Sequence, residues 1–172
     1  ASIQMAQVTA NPIIVTASTD EKIARCIELG ASIAVNYNRE SFVDTIHAHT
    51  NGNGVDVILD AVGADYFERN LRLLKPQGRL ISIGILSGKR AEINLGTLLF
   101  RRLSIIGSVL RSRSLNDKVE IVLQFMDMFW PYVIDGTLNP IIDSIYPIEQ
   151  AEVAQKRMSE NRNIGKIVLS VR

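Results

Sequence analysis

The 172-residue chain holds one cysteine and two histidines. A lone thiol, Cys26, excludes an internal disulfide framework and fits a reducing compartment such as the cytoplasm. One cysteine and two histidines cannot build a four-ligand zinc cage between them. His47 and His49 lie in a stretch that reads as a helix, where side chains two apart diverge by about 200°, so no metal site is expected. Charge of either sign is not in excess either: the net value is +1, too little to draw the chain to nucleic acid or a membrane surface. Unbroken apolar runs, such as residues 13–15 and 57–59, are far too short to cross a bilayer. The first residues do not read as a basic, apolar leader, so secretion is not expected. Ser/His/Asp arrangements, nucleophilic-cysteine motifs and carboxylate pairs are all missing, so no residue is assigned a catalytic role.

What is present is an alternation of apolar, β-branched runs with amphipathic stretches. Strands are predicted at 13–17, 34–36, 55–60, 79–83 and 103–109, and helices at 19–29, 40–50, 65–74 and 95–102. Ser18 with Glu21 three residues on forms a capping-box pattern for the first of these helices. Val55-Asp56-Val57-Ile58-Leu59-Asp60 is apolar enough to suggest burial on both faces, and Lys75-Pro76-Gln77-Gly78 breaks a helix from the strand after it. Strands separated by helices of about ten residues mean βαβ units, hence an α/β fold with a doubly wound parallel sheet. Beyond residue 112 the character changes. A long helix at 115–134 ends near Gly136, with Phe129 and Trp130 expected in its core contact. A strand at 140–146, a helix through Ala151, Ala154 and Met158, and a strand at 166–171 follow as an appendage to a different sheet.

The chain opens inside a helix, residues 1–7, with no strand before it. A parallel α/β domain normally starts with its central strand, and the turn after that strand carries the phosphate-binding glycines. Both are expected to lie outside these residues, which makes the chain a fragment. Residues 1–112 then read as a partial dinucleotide-binding domain, and 113–172 as a segment that completes an absent N-terminal substrate domain.

Six local strings, in order, carry a resemblance. They are Ala1-Ser2-Ile3-Gln4-Met5-Ala6, Gly54-Val55-Asp56-Val57-Ile58-Leu59-Asp60, Gly78-Arg79-Leu80-Ile81-Ser82-Ile83-Gly84, Leu110-Arg111-Ser112-Arg113-Ser114, Tyr146-Pro147-Ile148-Glu149-Gln150-Ala151 and Asn163-Ile164-Gly165-Lys166-Ile167-Val168-Leu169. Together they resemble the C-terminal half of zeta-crystallin-type quinone oxidoreductases, in the medium-chain dehydrogenase/reductase superfamily. The resemblance implies a Rossmann-type cofactor domain, NADPH as cofactor, and a quinone or other conjugated carbonyl (enone) as substrate.

It also implies sites. Lys22 and Tyr37 would lie beside the 2′-phosphate, with Ser18 or Thr19 able to donate a hydrogen bond. The strand 13–17 has no acid at its tip, which suits a cation and a phosphate rather than a carboxylate and a ribose diol. Asp20 and Glu21 nearby leave the second arrangement open. Val62 and Gly63, ending the strongest strand, would border the adenine. Gly84, Ile85 and Leu86 would pass the nicotinamide, which Ser108 and Leu110 would also border. The plain alternatives are a capped helix with an exposed Lys and a rim Tyr, ordinary strand-to-helix turns, and sheet packing.

Lys89, Arg90, Arg101, Arg102, Arg111 and Arg113 cluster in sequence, but their spacing fits no nucleic-acid module, and a solvated or interface role is expected. The strand 103–109 carries no charge after Arg102 and no proline, so it suits an edge that pairs with its twin in a homodimer. The function so implied is the cofactor-binding portion of an NADPH-dependent quinone oxidoreductase, inactive as an isolated piece. A non-catalytic NADPH-binding or dimerisation module is the alternative, and a class I methyltransferase ranks behind both.

Overall fold

The computed structural model describes residues 1–171. It divides into two compact units: Ala1–Asn36 together with the chain from Val122 onward, and Tyr37–Ile121.

In the first unit, α1 (Ser2–Val8) leads to β1 (Ile14–Ala17), α2 (Asp20–Glu28) and β2 (Ile33–Asn36). β1 and β2 are parallel, with Ala17 in register with Asn36 at their carboxyl ends. Helix α2 begins after Thr19, not Ser18: the Thr19 hydroxyl accepts from the Lys22 amide at 3.3 Å. The N-cap is therefore Thr19 and not the expected Ser18, and since the residue three on from it is Lys22, the cap is a single bond and not a capping box. Asp20 and Glu21 fill the first turn, where acidic side chains suit the helix dipole. The later part of the unit holds β6 (Ile142–Pro147), α7 (Ala151–Ser159) and β7 (Lys166–Ser170), with β6 and β7 parallel in a two-stranded sheet of their own. Asp143 ties this segment together: its carboxylate accepts from Arg157 at 2.8 and 3.2 Å and from the Ile164 amide at 2.8 Å.

The second unit contains α3 (Phe42–His49), β3 (Val55–Asp60), α4 (Ala64–Leu73), β4 (Leu74–Ser82), α5 (Leu95–Phe100) and β5 (Ser104–Gly107). Its three strands form one parallel sheet in the order β3-β4-β5. Leu71, Leu74, Leu80 and Leu103 are buried in its core, with Ile58, Phe67 and Leu98 packed against them. Leu103 belongs to this core and precedes β5, so the edge strand is shorter than the 103–109 expected.

Four further expectations are corrected. β3 is not buried on both faces. Val57 and Leu59 are 43% and 53% exposed, because alternation puts them opposite Ile58 and the in-register Leu80, whose face meets the core. Lys75-Pro76-Gln77-Gly78 does not separate helix from strand. β4 starts at Leu74, and the four residues form a loop-out within it, between the pairs Val55–Leu74 and Val57–Arg79. Arg101 is not a solvated cation. Its guanidinium donates to the carbonyls of Arg72, at 3.2 Å, and Leu74, and so satisfies the end of α4. Finally, the long helix α6 (Leu115–Ile134) buries Phe129 but leaves Trp130 44% exposed. Pairing of Phe125 with Phe129, 5.7 Å between ring centres, marks the packed stripe, and Trp130 lies one residue off it.

Candidate functional site

Parallel α/β sheets bind ligands at the carboxyl ends of their strands, where loops leave backbone groups and helix N-termini accessible. The candidate residues sit at such ends in each unit.

At the end of β1, Ser18 and Thr19 lead into α2, and Lys22 follows within its first turn. The Lys22 ammonium donates to the Asn161 carbonyl at 2.5 Å and to its side-chain oxygen at 2.7 Å. Asn161 Nδ2 in turn reaches the Ser18 hydroxyl at 3.4 Å. Asn161 follows the end of α7 with φ at 54°, the left-handed backbone that Asn tolerates better than most residues. That conformation presents both of its oxygens to the lysine. Lys22 is thus half-buried and held in one place at the strand tip. Asn161 was not among the residues expected here. An Asn two positions past the last residue of a helix is its local signal, and the contact spans 139 residues of chain.

Asp20, the nearest acid, accepts from Nδ2 of Asn36 at 2.7 Å. The Arg157 guanidinium is held above its ordinary pKa chiefly by Asp143, with the Glu21 charge adding least.

In the second unit, Tyr37 is partly exposed and sets its ring edge-on to Tyr66, 6.3 Å between centres. Tyr66 stacks on the buried Phe42 at 5.0 Å, and the Arg69 guanidinium lies 4.4 Å from the Tyr66 ring centre and 5.1 Å from that of Phe42. Burial, and then the neighbouring Tyr37, push the Tyr66 phenol above its ordinary pKa.

The turn after β3 is organised by Asp60. Its buried carboxylate accepts from the Val62 amide at 2.8 Å and the Gly63 amide at 3.1 Å. The turn after β4 packs onto it backbone to backbone. Ile83, Leu86 and Ser87 donate their amides to the carbonyls of Asp60, Ala61 and Val62 at 2.8, 3.3 and 2.8 Å. The Ser87 hydroxyl donates to the Val62 carbonyl at 2.9 Å and accepts from the Asp65 amide at 3.0 Å, capping α4 from outside. Gly63 has φ at 90° and ψ at −127°, and an added Cβ would sit 2.8 Å from the Gly88 oxygen and 3.0 Å from Ile85 Cα. A Cβ on Gly84 would meet the Ala61 oxygen at 2.7 Å. Both glycines are therefore demanded by the contact between the two turns. Ile85 and Leu86 project outward, Leu86 being 86% exposed. Past β5, the Ser108 amide donates to the Ser82 carbonyl at 2.9 Å and the Leu110 carbonyl accepts from Arg113 at 3.2 Å. Ser108 is half-buried and Leu110 is exposed.

Among the described residues, no three or more His, Cys, Asp and Glu side chains converge as metal ligands, and no helix is long and apolar enough to cross a membrane.

Comparison with known proteins places this geometry. The profile of the family described as zinc-binding dehydrogenase matches residues 1–127. The quinone oxidoreductase-like protein 2 homolog of Nematostella vectensis is 27% identical over 100% of this chain and 47% of its own length. The 2-haloacrylate reductase of a Burkholderia species is 30% identical over 91% of this chain and 47% of its own. Among solved structures, Escherichia coli quinone oxidoreductase complexed with NADPH superposes with a TM-score of 0.84 at 25% identity, over 98% of this chain and 52% of that one. An NAD-dependent alcohol dehydrogenase gives 0.81 at 30% identity, over 99% and 47%. The chain spans about half the length of the curated relatives it matches.

Proposed function

Because the chain belongs to the zinc-binding dehydrogenase family, in the medium-chain dehydrogenase/reductase superfamily, we propose that it is the NADPH-binding portion of a reductase acting on quinones or other conjugated carbonyls. The observation that carries this reading is Lys22, in the first turn after β1: Asn161, which also reaches the Ser18 hydroxyl, fixes its ammonium, and the Thr19 hydroxyl takes its backbone amide. A cation with hydroxyl donors at this strand tip suits a 2′-phosphate, whereas a carboxylate there suits the free diol of NADH. Solved relatives are described with either cofactor, so the preference is argued from this chain's own side chains.

In the second unit, Tyr37 would lie beside the 2′-phosphate, and Val62 and Gly63 would border the adenine. Gly84, Ile85 and Leu86, with Ser108 and Leu110, would line the nicotinamide end. The turn after β3 uses its Val62 and Gly63 amides on Asp60, so its share in binding is shape and apolar contact, not donated hydrogen bonds. When bound, the nicotinamide supplies the hydride, and the protein's part is binding and orientation. No residue of the chain is assigned a catalytic role, and the chain is proposed to bind NADPH without turning it over. Among the described residues, no three His, Cys, Asp or Glu side chains converge to hold the zinc of the family's name.

Cofactor fluorescence titrations test this. The chain should bind NADPH more tightly than NADH, and Lys22→Ala should cost about 1–3 kcal/mol of NADPH affinity, the scale of a charge-assisted bond. NADH affinity should barely change. Equal losses for both cofactors would remove Lys22 from the phosphate site.

A further inference from the structure

Resting on the reading of Tyr37 beside the 2′-phosphate, we propose that Tyr66 is a positioning residue of the cofactor site. Its ring, itself held by Phe42 and Arg69, is the wall that fixes the Tyr37 phenol in place.

Both tyrosines stand at strand ends of the kind where a parallel sheet takes its ligand. Tyr37 directly follows β2, which ends at Asn36. Tyr66 lies in the first turn of α4, with its amide on the Gly63 carbonyl at 3.0 Å, so it belongs to the turn at the carboxyl end of β3. The two rings meet edge-on, at 83° and 6.3 Å between centres. That contact draws the Tyr37 ring along the ligand edge, toward the turn after β3. Among the described residues the Tyr37 hydroxyl has no hydrogen-bond partner, and the residue is 38% exposed. Its phenol is therefore open to a ligand.

Tyr66 is held more firmly than Tyr37. Its ring stacks on the buried Phe42 at 5.0 Å and 28°. The Arg69 guanidinium lies 4.4 Å from the Tyr66 ring centre, and Nε and Nη2 of Arg69 both donate to the Asp65 carbonyl, at 3.2 and 2.8 Å. A cation anchored over the ring and a buried aromatic stacked on it restrict Tyr66 to this rotamer. Among the described residues Tyr37 has one ring contact, the one with Tyr66. The fixed ring therefore decides which rotamer the mobile one keeps. Without it the Tyr37 phenol would turn through its other rotamers, and a bound phosphate would have to order it again, at a cost in affinity.

A Tyr66 that only packs would change stability, or the binding of all nucleotides alike. One that positions Tyr37 changes the nucleotide with the 2′-phosphate and spares the one without it. The probes are 2′,5′-ADP, which carries that phosphate, and 5′-AMP, which carries the free diol, each titrated by calorimetry into the 172-residue chain. Tyr37→Phe should weaken 2′,5′-ADP about tenfold, the scale of one charge-assisted hydrogen bond, and leave 5′-AMP unchanged. Tyr66→Leu should weaken 2′,5′-ADP about three- to tenfold, the scale of one aromatic pair, again sparing 5′-AMP. Tyr66→Phe keeps the ring and should bind both probes as the parent does. In the Tyr37→Phe background, Tyr66→Leu should add less than about twofold, because no phenol is left to place. Tyr66→Met, whose thioether keeps contact with Phe42, makes the same comparison if the leucine variant unfolds. Unchanged 2′,5′-ADP affinity in the folded variant, equal loss of both probes, an equal loss in Tyr66→Phe, or an undiminished further loss in the Tyr37→Phe background overturns the proposal and leaves the reading of Tyr37 intact. Tyr37→Phe binding 2′,5′-ADP as the parent does overturns that reading and the proposal with it. Failure of the parent chain to bind 2′,5′-ADP overturns the cofactor reading as well.

Discussion

Replacing Gly63 by alanine isolates the contact between the turns after β3 and β4. Two costs add. A non-glycine residue at φ 90° and ψ −127° occupies a region almost reserved for glycine, at roughly 1–3 kcal/mol. The new Cβ would also lie 2.8 Å from the Gly88 oxygen and 3.0 Å from Ile85 Cα. These are backbone atoms. The Gly88 oxygen is already bonded to the Ala64 amide at 3.2 Å, so the neighbours cannot simply rotate aside, and overpacking of this kind costs about 1–3 kcal/mol. The sum is about 2–6 kcal/mol, a large share of the roughly 5–15 kcal/mol that keeps a domain folded. Gly84→Ala shares only the steric part, against the Ala61 oxygen at 2.7 Å, and should lose about 1–3 kcal/mol. Urea unfolding followed by far-UV ellipticity measures both. With a slope near 2 kcal/mol per molar, the Gly63 variant should unfold at least about 1 M earlier than the parent, and earlier than the Gly84 variant. A Gly63→Ala midpoint within about 0.3 M of the parent would refute the claim that the turns are packed backbone to backbone.

Two other consequences can be measured directly. The Arg157 guanidinium, the Ile164 amide and the Ser144 hydroxyl hold the Asp143 carboxyl well below the usual carboxylate range. A carboxyl depressed in the folded state stabilises fully above its unfolded pKa of about 3.9, and that contribution fades as pH falls toward the folded value. Melting temperatures of the parent should therefore drop below about pH 4 by more than those of Asp143→Asn; parallel curves would show that the ion pair adds nothing. Among the described residues, β5 pairs within its sheet with β4 alone and exposes Ile105 and Ile106 along its length, so it suits an isologous dimer with the strand antiparallel to its mate. Sedimentation velocity should find a dimer that Ile105→Lys or Ile106→Pro converts to monomers; a monomeric parent, or dimers in both variants, would exclude this edge.

Local pattern was enough for most of the architecture. The run from Val55 to Asp60 and the helix from Leu115 to Ile134 have the bounds that their periodicity implies, since side-chain spacing and helix stops act over a few residues. What escaped were contacts whose partners lie far apart in the chain. Arg101 looks like a solvated cation until the end of α4 lies beside it. The start of α4 offers no capping side chain of its own, and Ser87, from the next turn, supplies one. Lys22 could be named as a cation at a strand tip, but nothing near it in sequence announces Asn161. The reading of β3 failed for a different reason: an apolar run records what a strand tolerates on each face, and in this structure the face of Val57 and Leu59 is open.

The central claim, a nicotinamide dinucleotide with a 2′-phosphate held at these strand ends, is tested most directly by amide chemical shifts in a ¹⁵N-labelled chain. Adding 2′,5′-ADP should shift Ser18, Thr19, Lys22 and Asn161, and NADPH should shift in addition Gly84, Ile85, Leu86 and Ser108. Saturable shifts confined to other residues, or none from Ser18 to Lys22 at saturating NADPH, would contradict it.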